Sequence, residues 1–497
     1  MTLADTLVAN LPRLPKRENR GASISPIKLL GSLSLLQGAF FFCAWLAWTC
    51  DAIDFFAVSL SVTRLVDQFG KPVHDITTSI TLTLLFRPLG AIIFGLAADR
   101  YGRKWPFIVD LILCAVFSLA TAFCKTFGAF LGVRSLFGIA MGGIWGLSAA
   151  LGLENAPVEA RGLLSGILQQ GYAVGYLISA VINLTAVPQH DDWRVLFYCA
   201  SGISLAAALL RLALPESTYF QNRKLAAKAS ESGMAQESGW QKSKTFMIEA
   251  GRAMKLHWAR SIFAVLLMTF FNFWSHGSQD LYPTYIEDTK NLSKHAATVA
   301  TIIGNCGAIA GGTLAGWLSQ YLGRRITIIV FCVQAIAFLP LWLLPNSFGG
   351  LAAGAFFVQF GVQGSWGVVP VFLSETAPVA FRAVWPGVAY QLGNMVSSAS
   401  AQIESTAGSH IRTAEDKPDY GKVSAILLGI VAGGIIILCL IGSEDHGARF
   451  ELGKAAFEKG GGRDELDPHA VLADSSDRAS DTEKGSVKHE EKAIERV

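Results

Sequence analysis

The sequence predicts an all-α membrane protein with twelve transmembrane helices in two six-helix halves. Three observations carry this expectation. Of 497 residues, 52% are hydrophobic and only 16% are charged, against about 25% charged in a soluble globular chain, and mean hydropathy is +0.41. Apolar runs of about 20 residues, long enough to cross a bilayer, recur from end to end. The chain also repeats itself at a fixed offset. The composition excludes a disordered chain, a collagen, a disulfide scaffold and a lone soluble enzyme core.

The N-terminal tail, 1–37, is polar and basic (Arg13, Lys16, Arg17, Arg20, Lys28). It shows no secretory signal pattern, so the first span is expected to act as an uncleaved anchor. The first half, 38–214, reads as spans at 38–64, 76–98, 105–124, 127–150, 162–186 and 194–214. A polar stretch, 215–260, carries Arg223, Lys224, Lys228, Lys242, Lys244, Arg252 and Lys255 and is read as a cytoplasmic central loop. The second half, 261–442, reads as spans at 261–285, 296–320, 326–345, 348–373, 386–408 and 422–442. The tail, 443–497, has mixed charge and several serines (Ser475, Ser476, Ser480, Ser486). It is expected to be disordered and cytoplasmic, either open to phosphorylation and to the ubiquitin and trafficking machinery or simply solvated.

Orientation follows the Lys and Arg residues of short loops. They gather in the N-terminal tail, at Arg100, Arg103 and Lys104, and at Arg324 and Arg325, while 187–193 and the turn near Asn346 have none. Both termini are therefore expected in the cytoplasm. Asn291-Leu-Ser293 is a glycosylation sequon in an expected external loop. The eight cysteines lie in apolar runs without CxxC spacing and are expected to be small buried hydrophobes. A net charge of +3 is too small to suggest nucleic acid. With no metal cluster, nucleophile elbow or phosphate loop, neither a cofactor nor an enzyme is expected.

GLAADRYGRK at 95–104 answers GWLSQYLGRR at 316–325, an offset of 221 residues. The same offset aligns Glu154 with Glu375, Pro157 with Pro378, Arg161 with Arg382, and Gln170 with Gln391. Duplicated six-helix halves with a site at midplane between them are a recurring transporter plan. Gly95, Asp99, Arg100, Gly102, Arg103 and Lys104 fit the motif between the second and third helices of the major facilitator superfamily, which the chain resembles over 38–442. Arg134 with Gly138 and Gly142, and Pro215-Glu216-Ser217, fit further patterns of that superfamily. The second copy departs from the motif, with Gln320 and Tyr321 in place of the Asp-Arg pair. The resemblance implies that these residues are a gate on the cytoplasmic side rather than substrate ligands.

An ionisable residue at membrane depth costs about 2.5–3.5 kcal/mol on insertion scales, so each is a functional candidate. Arg87 lies midway along the second span. It suits a carboxylate clamp, because guanidinium is planar and permanently charged, or an ion pair with Asp51 or Asp54. Those two carboxylates share a face of the first span and serve either as a proton site or as partners of the buried arginines. In the seventh span Asn272, Ser275, His276, Gln279 and Asp280 form a polar stripe, which reads as pore-lining, and Pro283 can interrupt the helix.

This stretch meets every fixed position of N-x-x-[ST]-H-x-[ST]-Q-D-x-x-x-T (Asn272, Ser275, His276, Ser278, Gln279, Asp280, Thr284). It thereby resembles the Jen-type monocarboxylate/proton symporters of fungi. The resemblance implies plasma-membrane import of lactate, pyruvate or acetate with a proton. It also implies transport roles for Asn272, His276, Asp280 and Arg87 and substrate recognition by Gln391, with Gln170 facing Gln391 across the pseudo-twofold axis. Coupling fits electrostatics: an anion entering a negative interior costs about 2.3 kcal/mol per 100 mV, and a co-moving proton cancels that charge. Histidine titrates near working pH, so His276, with Asp280 as its partner, suits the proton. A dicarboxylate symporter for malate or succinate is the alternative in the same class, and a transporter-like nutrient receptor is the alternative outside it. The expected partners are thus a small carboxylate, a proton and the lipid bilayer.

Overall fold

The computed structural model describes residues 11–15, 24–230, 239–411, 419–448, 450, 454, 456, 458 and 460–463. Asn291 and Ser293 fall within this set, whereas Ser475, Ser476, Ser480 and Ser486 lie outside it. Every regular element among the described residues is helical. They form two compact units: one of Met1–Ser217, Ala259–Ala377 and Arg382–Ala448, the other of Thr218–Trp258, Pro378–Phe381 and Arg449–Val497.

The first unit contains both six-helix groups. Its first span, Leu35–Phe69, starts at a capping box in which Ser34 and Gln37 satisfy each other's backbone amides, and stops at Gly70. Val73–Tyr101, Lys104–Ala122 and Arg194–Ala213 are the second, third and sixth spans. The fourth is divided at Gly142–Gly143 into Phe127–Met141 and Ile144–Glu154, and the fifth at Gln170 into Arg161–Gln169 and Gly171–His190. The second group comprises Trp258–Gln279, Lys294–Leu322, Arg324–Ala337 with Leu339–Leu343, Phe348–Thr376, Val384–Ser397 with Ser400–His410, and Tyr420–Ile441.

Among the described residues nine helices are long and apolar enough to cross a membrane, or ten if one bent pair counts as a span. The ninth and eleventh fall short because each is interrupted, leaving leading segments of 14 residues. The most apolar stretches of the fourth and tenth spans are 89% and 83% buried, which puts these two at the centre of the bundle. Outward, Leu89, Ile93, Val116, Leu209, Ile430 and Ile437 are exposed, the apolar surface that a bilayer rather than water covers.

Three expectations need correction. The stretch 215–260 is not a plain loop. Thr218–Ser230 and Gly239–Leu256 are helices, and within the second unit Phe246, Glu249 and Ala253 are buried on one face of the latter. There Glu249 Oε2 accepts from Gly462 N at 3.1 Å and Phe246 packs on Phe381. The tail expected to be disordered begins with a structured segment, because its groups satisfy helix ends. Glu444 accepts from Arg324 N at 2.5 Å, and Gly447 N donates to Glu375 at 3.1 Å. Of the eight cysteines, Cys306 is exposed and Cys199 half-buried, so these two do not act as core fillers.

Candidate functional site

Halfway along the second span, Arg87 points into the bundle and is 3% exposed. Its Nη2 lies 3.4 Å from Asp51 Oδ2, a long contact, and also donates to Met141 Sδ, while its guanidinium sits 5.5 Å from the Phe55 ring centroid. Nε has no hydrogen-bond partner among the described residues. Arginine carries five N–H donors in a rigid fork, so most of this fork's capacity is unspent. Asp54, one turn beyond Asp51, turns away from Arg87, and its carboxylate accepts from the hydroxyls of Ser118 and Ser204.

The seventh span supplies the facing wall. His276 Nδ1 is 3.1 Å from Asp280 Oδ2, and Nε2 is 3.4 Å from Asn394 Oδ1 of the eleventh span. Asn272 and Ser275 line the same space. Gln363 Nε2 donates to Ser275 Oγ at 3.4 Å. Aromatic rings close the site: Tyr390 stacks on Trp145 at 4.6 Å and meets Trp48 and Trp366 edge-on. The space left around Arg87 is about 20 Å³, roughly one water's worth. A second cavity of about 700 Å³ leads from His276 past Gln279 and Asp280 to Leu60, Thr77, Tyr282 and Thr298, at the opposite end of the bundle from the start of the first span. Asp280 stands just beyond the helix end at Gln279; the interruption falls at Asp280–Leu281, ahead of Pro283.

Gln170 and Gln391 do not line the central space. Gln391 Nε2 donates to the Gly142 carbonyl at 3.3 Å, and Gln170 Nε2 to the Gln363 carbonyl at 3.4 Å. These bonds are pseudo-symmetric, each running from an interrupted or central helix of one half into the other. Gln391 reaches the site only through Asn394, whose Nδ2 donates to its Oε1 at 3.4 Å. The side chains that do line the site and were not anticipated include Gln169, Tyr172, Gln363, Trp366, Tyr390 and Asn394. The repeat held part of that signal, since Gln169 and Tyr390 are also 221 residues apart.

At the end of the bundle where the first span begins and the twelfth ends, the motif residues are locked together. Arg103 makes a two-point pair with Glu154 (Nε–Oε2 3.0 Å, Nη2–Oε1 2.7 Å) and also lies 3.1 Å from Asp99. Asp99 accepts from the backbone amides of Ala383 and Val384 at 3.3 and 3.1 Å, joining the first half to the start of the eleventh span. Gly95 lets that span approach, since a methyl group there would overlap Val384. Gly102 takes φ +105° and its repeat mate Gly323 φ +92°, a region L side chains rarely adopt. Arg100 packs over the Tyr101 ring. With this end closed and the large cavity at the other, the molecule presents its central site toward the far end.

The chain matches the family model described as "Sugar (and other) transporter" over residues 31–451. It is 36% identical over 422 residues to the carboxylic acid transporter protein homolog of Saccharomyces cerevisiae, covering 82% of this chain and 68% of that one. It is 27% identical over 358 residues to the cis,cis-muconate transport protein of Acinetobacter baylyi, covering 72% and 84%. Its fold matches that of the major facilitator proton:xylose symporter XylE with a TM-score of 0.65 at 18% identity, covering 84% of this chain and 98% of that one. A bundle of apolar helices in two repeated halves, locked at one end around a central polar site, is thus a multi-pass membrane transporter of the major facilitator fold, not an enzyme, and it belongs to the sugar (and other) transporter family.

Proposed function

We propose that the chain imports short-chain monocarboxylates such as lactate, pyruvate and acetate together with a proton, by alternating access across the plasma membrane with both termini cytoplasmic, as a member of the Jen-type group. The observation that carries this reading is the unspent fork of Arg87. It is the one permanently charged side chain in a wall otherwise built, among the described residues, from neutral amides, a serine, one histidine, a leucine and aromatic rings. A carboxylate takes two of its N–H donors in a planar fit and competes with Asp51 for the cation. The narrow space favours a small acid, and a single permanent cation favours one carboxylate over two. The seventh-span motif and the 36% identical carboxylic acid transporter homolog support the same class.

In this reading His276 and Asp280 exchange the proton at the mouth of the large cavity. Asn272, Gln279 and Asn394 orient the rest of the acid, and Gln391 acts through Asn394. The test is uptake of labelled lactate, pyruvate, succinate and malate in a transport-null yeast strain, with and without an uncoupler. Uncoupler-sensitive lactate or pyruvate uptake supports the reading; preference for succinate or malate moves it to the dicarboxylate class. Arg87→Lys keeps the charge but loses the fork. A lost charge-assisted hydrogen bond of about 1.5–3 kcal/mol lowers uptake roughly 10- to 100-fold at unchanged surface expression. Wild-type uptake by Arg87→Ala would remove this residue from the site.

A further inference from the structure

Asp110, on the third span, is fully buried, and among the described residues neither of its carboxyl oxygens has a hydrogen-bond partner. Burying a charge without a partner is prohibitive, whereas the neutral acid is far cheaper to bury. The titratable groups that face it are Asp51 on the first span and Cys114 one turn along its own helix; Asp51 in turn faces Arg87 on the second span and Arg134 on the fourth, and Asp54 faces Arg134. The sixth span, also packed on the third, carries Arg211 and Arg194 near its ends. Arg211 donates to the Pro215 carbonyl and pairs with Glu216, and Arg194 pairs with Asp192. Glu154 of the fourth span is taken by Arg103.

Asp51, Asp54, Asp110, Arg87 and Arg134 therefore form one connected set of three carboxyl groups and two guanidiniums. One proton on the carboxyls balances the set. A substrate carboxylate arriving at Arg87 adds a negative charge, and balance then requires one further proton. Asp54 already has two hydroxyl donors, which leaves Asp51 and Asp110 to hold protons.

The break in the fourth span connects Asp110 to the moving parts. A methyl group on Gly142 would overlap the Arg87 carbonyl oxygen, and one on Gly143 would overlap Asp110 Oδ2. The Gly142 carbonyl also receives Gln391 Nε2 from the second half at 3.3 Å. Two adjacent residues thus touch the helix of Arg87, the carboxyl of Asp110 and the opposite half. A motion of one half against the other displaces this break and changes what faces Asp110.

We propose that Asp110 is a proton-binding site of the transport cycle, holding a proton while it lies against Gly143 and releasing it when the fourth-span break moves. The O–H bond breaks toward water admitted from the end that carries Arg103 and Glu154, and a proton from water at the opposite end restores it. The proposal rests on the proton-coupled reading above.

The test uses the purified full chain in proteoliposomes with labelled lactate. Asp110→Asn fixes the group in its neutral shape. It should cut pH-gradient-driven accumulation at least tenfold while lactate counterflow, which needs no net proton movement, persists. Asp110→Glu should accumulate lactate with a displaced pH profile. Accumulation by Asp110→Asn with the wild-type pH profile overturns the proposal. So does loss of both activities in both variants when each is recovered as monodisperse protein, which marks a structural role. If Asp110→Asn is not recovered, Asp110→Glu decides: a displaced profile supports the site and an unchanged one overturns it. Wild-type uptake indifferent to an uncoupler refutes the coupled reading and this site with it. Coupling in wild type that survives in Asp110→Asn refutes Asp110 alone.

Discussion

The two copies of the loop motif build the same clamp and different latches. Arg103 grips Glu154 at 3.0 and 2.7 Å, and Arg324 grips Glu375 at 2.9 and 2.9 Å. Glu216 receives the amides of Arg103 and Lys104 as Glu444 receives those of Arg324 and Arg325, a carboxylate at a helix N-terminus each time. Where the first copy has Asp99, however, the second has Gln320. Asp99 reaches across to the start of the eleventh span, whereas Gln320 accepts from Arg324 at 3.0 Å within its own half. The matching crossing, fifth span on eighth, is made by glycines: Gly162 and Gly166 lie against the backbone of Gly312 and Gly316. Duplication kept the clamp inside each half and divided the latch between halves into an electrostatic form and a steric one.

This contrast predicts unequal costs for equal mutations. Glu375→Ala leaves the Arg324 guanidinium with the neutral Ser319 and Gln320 among its described side-chain partners, which should destabilise by about 3–5 kcal/mol, the range for a broken buried pair. Glu154→Ala should cost clearly less, because Arg103 retains Asp99 at 3.1 Å. Thermal unfolding of the two variants in detergent measures the difference, and equal midpoints would show that Asp99 does not back up the first clamp. Gly162→Val should abolish uptake by holding the steric crossing apart. Gly202→Val, with nothing near its added carbon, is the control and should transport normally.

Asp99→Asn should loosen the electrostatic latch by about 1–2 kcal/mol, a factor of roughly 5–30 in the closed-to-open ratio. Distances between spin labels at the helix ends report that ratio, and Gln320→Asp should move it the other way. The smallest effect at neutral pH concerns His446, just beyond the last span. Burial, and after it the Arg324 guanidinium, push its imidazole down to about 4. An unfolded chain protonates histidine near pH 6.5, so between those values the unfolded state binds more protons. Stability should therefore fall as pH drops from about 6.5 toward 4. His446→Leu should flatten that part of the thermal-midpoint profile and leave the midpoint at pH 7 nearly unchanged.

Much of this molecule was legible before any coordinates. Apolar runs fix helices because lipid offers backbone amides no other partner, and a fixed offset of 221 residues aligned Arg103 with Arg324 and Glu154 with Glu375, though their pairing into a clamp came only with the structure. Arg87, Asn272, His276 and Asp280 stand out in the sequence because polarity at membrane depth is expensive and therefore conspicuous. The limits of that reasoning are equally physical. Glutamine is uncharged, so nothing in its neighbours told that Gln170 and Gln391 would brace the two halves while Gln169, Gln363 and Asn394 lined the site. The central stretch and the start of the C-terminal tail looked like solvated polar chain because their few apolar and acidic contacts are made to distant segments.

Composition and periodicity by themselves determined the fold class, the duplication and the polar stripe, since each depends on local spacing against a uniform solvent. Which carboxyl meets which guanidinium was decided only by packing. Asp51 pairs with Arg87, Asp54 is held by two hydroxyls, and Asp110 has no hydrogen-bond partner among the described residues. These three carboxylates are identical in sequence terms, and they differ because Coulomb and hydrogen-bond energies fall off within a few ångströms, a distance set by how helices far apart in the chain come together.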